Sequence, residues 1–136
     1  MRGWVTDQRT RERMRRVRQE HTMPEMVVRR LLHGMGYRYL LHDRRLPGCP
    51  DLVFPSRRKV IFVHGCFWHG HGCIRSRLPR SNAQMWAAKI ERNIARDARV
   101  VRKLRASGWG VVIVWECTLR ASALDALSKR LQRLLG

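Results

Sequence analysis

Two rhythms of apolar and polar positions run along this chain. Val27, Val28, Leu31 and Leu32 recur at the spacing of a helix with one buried face. Thr22 suits the N-cap of that helix and Glu25 stands three positions on, as in a capping box. Pro24 is tolerated in the first turn, and Gly34 and Gly36 supply the stop. Three short strand patterns follow: Tyr37–Leu41, Asp51–Phe54 after the Leu46-Pro47-Gly48 turn, and Lys59–Val63 after Pro55-Ser56. The runs DLVF and VIFV are nearly continuous in apolar residues, which predicts central strands covered on both faces. Ser81 or Asn82 caps a long helix that reaches about Ala106 and stops at Gly108, with Trp86, Ile90, Ile94, Val101 and Leu104 as its apolar stripe. Gly110–Glu116 reads as another buried strand, and Leu124, Leu127, Leu131 and Leu134 as the stripe of a last helix. The order α, β, β, β, α, β, α predicts an α/β fold: one mixed sheet with helices on its faces. A length of 136 residues suits a single domain, and there is no internal repeat or low-complexity linker.

Charge adds a partner to this picture. Twenty-nine Lys and Arg against ten Asp and Glu give a net charge of +19. A merely solvated arginine-rich surface would leave a small domain under uncompensated self-repulsion, so a polyanion is expected, and nucleic acid is the default polyanion. Residues 1–20 carry seven arginines against Asp7, Glu12 and Glu20, and read as a basic DNA-binding arm that orders on its partner. Residues 21–136 form the globular domain. No apolar run approaches the roughly 20 residues of a membrane span, and the first residues lack a signal peptide's apolar core. The expected location is the cytoplasm, where Cys49, Cys66, Cys73 and Cys117 point to metal ligation or isolated thiols before disulfides.

Ten carboxylates make a short list of candidates for chemistry. Asp51 opens a buried strand directly after Pro50, where a carboxylate is costly unless paired or metal-bound. An Asx-type turn cap is the equal alternative. A hairpin turning at Pro55–Arg58 returns the next strand's end, residues 62–64, beside Asp51, an arrangement by which nucleases hold Mg2+ against a phosphate. Glu25 is placed either to complete the capping box or to point at the same spot. Asp97 falls on the apolar stripe of the long helix and needs a partner there, such as a histidine of residues 64–71, unless Ala98 faces the core in its place.

The segment IFVHGCFWHGHGC, residues 61–73, concentrates the remaining chemistry. Closed zinc sites take four ligands, often three cysteines and a histidine. Cys66, Cys73 and Cys117 come together if the strand before Cys117 lies beside the one before Cys66, with Cys49 left out. His71 is the best-placed fourth ligand and His69 its rival. Histidines left over beside a carboxylate are candidates for general acid–base work. Phe67 and Trp68 either stack on bases or cover the zinc site, and Trp86 either joins them or is core.

These motifs, Pro50-Asp51, the VIFVHGCFWHGHGC loop, Trp86, Asp97 and Trp115-Glu116-Cys117, resemble the very-short-patch-repair (Vsr-type) DNA mismatch endonucleases over residues 8–120. The resemblance implies a restriction-endonuclease-like fold and a Mg2+-dependent nick 5′ to the thymine of a T:G mismatch, the lesion left when 5-methylcytosine deaminates. It implies that Asp51 binds the metal with the backbone carbonyl of Val63. Glu25, His64, His69 and Asp97 hold waters around the metal or assist proton transfer, with His64 and His69 both open as the general base. By the same resemblance Cys66, His71, Cys73 and Cys117 bind structural zinc, and Phe67, Trp68 and Trp86 form an aromatic wedge beside the mismatch. The N-terminal segment, with Met14 and Arg15, grips DNA from the other groove. Expected partners are mismatched duplex DNA, mismatch-repair proteins and a repair polymerase, with the protein a monomer at the bacterial nucleoid. The chain departs from the pattern in Val63, where relatives can carry Thr, in Gly70 and Gly72, where they can carry His, in lacking the fold's usual catalytic lysine, and in a short C-terminal tail. Two other readings stand beside this one: a non-catalytic zinc module that binds distorted DNA, and a related nuclease with a different duplex target.

Overall fold

A computed structural model of the chain describes residues 22–73 and 77–136. The expected basic arm, with Met14 and Arg15, lies outside the described residues.

Helix α1 spans Met23–Gly34, and the Thr22 side chain accepts the Glu25 N–H at its start. Its end is a Schellman turn. The Gly36 N–H reaches the His33 carbonyl and the Tyr37 N–H that of Leu32, with Gly36 at φ +94°. Tyr37 is thereby buried against the helix it terminates. The strand expected over 37–41 is therefore cut to β1, Leu40–Leu41. The strands β2 (Leu52–Phe54) and β3 (Lys59–His64) form the expected hairpin through a helical turn at Pro55–Arg57. Helix α2, Ala83–Ala106, crosses over the sheet to β4, Gly110–Trp115, which pairs with β3 in parallel. A parallel neighbour requires such a crossover. Helix α3, Leu124–Leu135, closes the order.

Among the described residues the result is a four-stranded mixed sheet in the order β1-β2-β3-β4. Strand alternation divides its side chains between two cores. On one face Leu52, Phe54, Ile61, Val112 and Val114 pack with Val28 and Leu32 of α1 and Leu127, Leu131 and Leu135 of α3. On the other, Val53, Val60 and Phe62 pack with Leu104 of α2. The apolar runs of β2 and β3 are thus covered on both faces.

Three details differ from expectation. Asn82 occupies the N-cap position of α2 but makes no side-chain cap bond, because it sits at φ +59°. Ile94 is 44% exposed although it falls on the α2 stripe. In α3 the buried residue of the last turn is Leu135, four after Leu131, while Leu134 is exposed.

Candidate active site and metal centre

Among the described residues, three groups of ligand-bearing side chains form where β3 ends. In the first, the Val63 N–H donates to Asp51 Oδ2 at 2.7 Å. Extending the β2–β3 register by two residues sets Val63 opposite Pro50. Proline has no N–H, so it offers no ladder donor to the Val63 carbonyl, which leaves the strand on the same edge as the Val63 N–H. Glu25 arrives from the first turn of α1 with its side chain buried, and His42 Nε2 lies 2.9 Å from both of its carboxylate oxygens. Of the two placements open for Glu25, its carboxylate is directed at His42 and Asp51, while Thr22 supplies the cap. Ligand atoms of Glu25, His42 and Asp51 all lie within 4.8 Å of one another. Burial pushes the Asp51 carboxyl up, the Val63 N–H opposes this, and the nearby Glu25 carboxylate raises it again, so that it stands at about 7. Two carboxylates pressed together in this way fit a cation between them.

The second group is His64, His69 and Asp97, again with ligand atoms within 4.8 Å. His69 Nδ1 and Asp97 Oδ2 are 2.6 Å apart. Ala98 is exposed, so Asp97 is the residue that turns inward from α2. Burial raises the Asp97 carboxyl, but the His69 hydrogen bond and the charges of His69, His64 and Arg96 outweigh it and hold the carboxyl below its usual range. The His64 ring stacks on that of His69 at 3.8 Å between centroids, nearly parallel. Burial, with the charge of His69, pushes His64 down to about 4. His64 Nδ1 is buried and, among the described residues, has no hydrogen-bond partner, and such an atom calls for a ligand or water.

The third group brings Cys66, His71, Cys73 and Cys117 within the same 4.8 Å. Tetrahedral zinc sets its sulfur ligands roughly 3.8 Å apart, so the donor set fits that ion. The parallel register His64↔Trp115 carries Cys66 and Cys117 off the same sheet edge. His71 stacks on Trp115 at 4.1 Å and its Nδ1 lies 3.5 Å from Cys117 Sγ. Of the two rival histidines, His71 lies with the thiols and His69 with Asp97. Burial pushes the Cys66 thiol up to about 12, with Cys73 and Cys117 adding to the rise against a backbone hydrogen bond. A cation is what would hold these sulfurs as thiolates. Cys49 stands outside the group.

Phe67, Trp68 and Trp86 meet edge to face, with centroids 5.1, 5.6 and 5.7 Å apart. Trp86 is buried and braces the other two, so it both joins them and is core. Gly70, at φ +59°, lets the loop lie against α2, since a Cβ there would come within 2.6 Å of Ile94 and 2.7 Å of Ile90.

Three residues of this region escaped the sequence reading. Lys89 Nζ lies 5.5 Å from the Trp68 ring and 5.7 Å from that of Trp86, and Asn93 Nδ2 donates to the Trp68 carbonyl at 2.8 Å. Both fall on the helical face shared by Trp86 and Asp97, a spacing legible in the sequence. His42 is the third, and it carries a weaker signal: continuation of the β1–β2 register sets it opposite Asp51.

A basic α/β protein with carboxylates, imidazoles and thiols gathered at one strand end has the parts of a nucleic-acid-cutting enzyme with a metal-binding loop. Comparison with known proteins makes this specific. The family model for DNA mismatch endonuclease Vsr matches residues 4–75. The chain is 53% identical over 131 residues, 96% of its length and 95% of the relative's, to the type II nicking enzyme V.XorIIP of Xanthomonas oryzae pv. oryzae. It is 41% identical over 132 residues to the DNA mismatch endonuclease Vsr of Escherichia coli, covering 94% of this chain and 85% of that one. The type II nicking enzyme V.NmeAIP of Neisseria meningitidis is 39% identical over 122 residues, 90% of this chain and 86% of the relative. The chain belongs to the Vsr family of DNA mismatch endonucleases, and it is a DNA endonuclease. Among the described residues no helix is long and apolar enough to cross a membrane.

Proposed function

We propose that this endonuclease nicks one strand of duplex DNA on the 5′ side of the thymine in a T:G mismatch, by Mg2+-dependent hydrolysis, in very short patch repair. The observation that carries the reading is that the end of β3 holds both Asp51, bonded to the Val63 N–H, and His64, whose ring stacks on the His69 of the His69–Asp97 pair.

Asp51 and the Val63 carbonyl would hold the cation, and oxygen donors of this kind suit Mg2+. When bound, Mg2+ supplies charge against the phosphate and acidifies water. Asp97 accepts a hydrogen bond from His69 Nδ1, which leaves Nε2 free to take the proton of the attacking water. His64 stays neutral and offers its buried Nδ1 to water or phosphate. The phosphorus–oxygen bond breaks opposite the attack, and the departing oxygen takes a proton from water in the site.

Cys66, His71, Cys73 and Cys117 would hold a structural zinc, which would fix the loop carrying Phe67 and Trp68. With Trp86 behind them, these rings enter the base stack at a weakly paired step and select for the lesion. Residues 1–20, with Met14 and Arg15, grip the duplex from the other groove. The element order fits a restriction-endonuclease-like core, and the protein acts as a monomer in the cytoplasm, handing nicked DNA to mismatch-repair proteins and a repair polymerase.

Incubation with T:G and matched duplexes in varied flanking sequence, with Mg2+ or with chelator, tests this. One strand is expected to be cut, 5′ to the mispaired thymine and only with the cation. Equal cutting of matched duplex, or cutting in chelator, contradicts the proposal.

A further inference from the structure

His42 lies outside the residues to which this chemistry was assigned, yet it is built into the Asp51 site twice. Its backbone N–H donates to the Asp51 carbonyl at 3.2 Å, which extends the β1–β2 ladder by one residue. Its side chain sets Nε2 at 2.9 Å from each oxygen of Glu25. The backbone at His42 has φ +45°, a left-handed conformation that is strained for a non-glycine residue and persists where the surroundings enforce it. Here that conformation turns the imidazole out of the strand and toward α1.

Glu25 needs such a partner. Its side chain is 1% exposed, and a buried carboxylate is tolerated only when hydrogen-bonded. The Arg29 guanidinium reaches the same carboxylate at 3.5 Å, well beyond the His42 contacts. Equal distances to both oxygens place the imidazole nitrogen on the axis of the carboxylate, where one donor restrains its rotation. The geometry points to His42 as a positioning residue: it holds the Glu25 carboxylate in a fixed orientation against Asp51 and so pre-forms the cation site. This rests on the proposed role of Asp51. It extends that reading, because the residue that orients the second carboxylate comes from a loop 17 positions further along the chain than Glu25. Partners that orient metal-site groups in this way commonly set affinity as strongly as the ligands themselves do.

The test uses zinc-loaded, full-length protein with Mn2+ as a paramagnetic probe, titrated by electron spin resonance without DNA. His42→Leu lowers Mn2+ affinity and nicking by about 10- to 100-fold. His42→Gln, which keeps a donor at similar reach, recovers most of both. In a Glu25→Gln background, His42→Leu has little further effect on affinity, because the group it orients is already altered. If His42→Leu does not fold by thermal melt, His42→Asn, whose amide is too short to reach Glu25, takes its place. Unchanged Mn2+ affinity in the unrescued variant overturns the inference. So does a loss that is undiminished in the Glu25→Gln background. A directly coordinated nitrogen in the echo spectrum of bound Mn2+ that disappears in His42→Gln also overturns it, since His42 would then be a ligand. Failure of the underlying reading looks different: Asp51→Asn would bind Mn2+ like wild type, whatever residue 42 is.

Discussion

Two centres share the end of β3 and differ in almost every physical respect. Around Asp51 the donors are oxygens on α1 and at the ends of β2 and β3, set against an imidazole, with one carboxyl raised to about 7. Around Cys66 the donors are three sulfurs and one imidazole on a loop and the turn after β4, with one thiol raised to about 12. Hard oxygen donors that repel one another bind a hard cation loosely enough to exchange water and phosphate. A closed set of soft donors holds zinc for the sake of shape. Residues 64–73 supply the second of these centres and the neighbouring Asp97 group: His64 and His69 turn toward Asp97, while Cys66, His71 and Cys73 turn toward Cys117. The lesson is that one loop can feed two chemically different clusters when its interleaved residues face different neighbours.

The largest expected break in this contrast comes from His69. Replacing it with Gln removes the proposed proton acceptor and is expected to lower single-turnover nicking by about 10²- to 10⁴-fold, while zinc content and melting temperature stay unchanged. Cys117→Ser strikes the other centre: zinc is lost by atomic absorption, and stability falls by several kcal/mol, in keeping with the part structural zinc plays in folding.

A third test uses pH. Asp51 in the folded, cation-free protein is raised from 3.8 to about 7. Between these values the unfolded chain has released its proton while the folded chain keeps it. The stabilisation is therefore full below about pH 4 and is lost as pH rises through 7, a change on the order of a few kcal/mol. The difference in urea stability between wild type and Asp51→Asn reports this slope, and saturating Mg2+ removes it at the upper end. The smallest effect concerns the rings carried between Cys66 and Cys73. Trp68→Ala narrows the preference for T:G over matched duplex in a binding titration by about 1–3 kcal/mol, with zinc retained.

Much of this layout is visible in the sequence because it follows from local rules. The parity of the Pro55–Arg58 turn brings residues 62–64 back to Asp51, and the parallel strand before Cys117 delivers that thiol to Cys66. Asp97 announces itself as a carboxylate on an apolar stripe. What stayed hidden depends on how elements pack. His42 meets Glu25 only once α1 is laid across the sheet. The division of labour between His69 and His71 turns on a left-handed glycine between them and on how closely that glycine approaches Ile90 and Ile94. The exposure of Ile94 follows from the same packing, because its partner is the loop rather than the sheet. Lys89 and Asn93 were within reach of a helical-face argument extended from Trp86 to Asp97.

The most direct test of the two-centre account measures both centres in one sample. Asp51→Asn is assayed for nicking of a T:G duplex in Mg2+, and its zinc is counted by atomic absorption. The account predicts one zinc per chain, as in wild type, with nicking reduced by about 10³-fold or more, as expected when an essential metal ligand is removed. Nicking at the wild-type rate, or loss of zinc along with activity, would contradict the separation of the two centres.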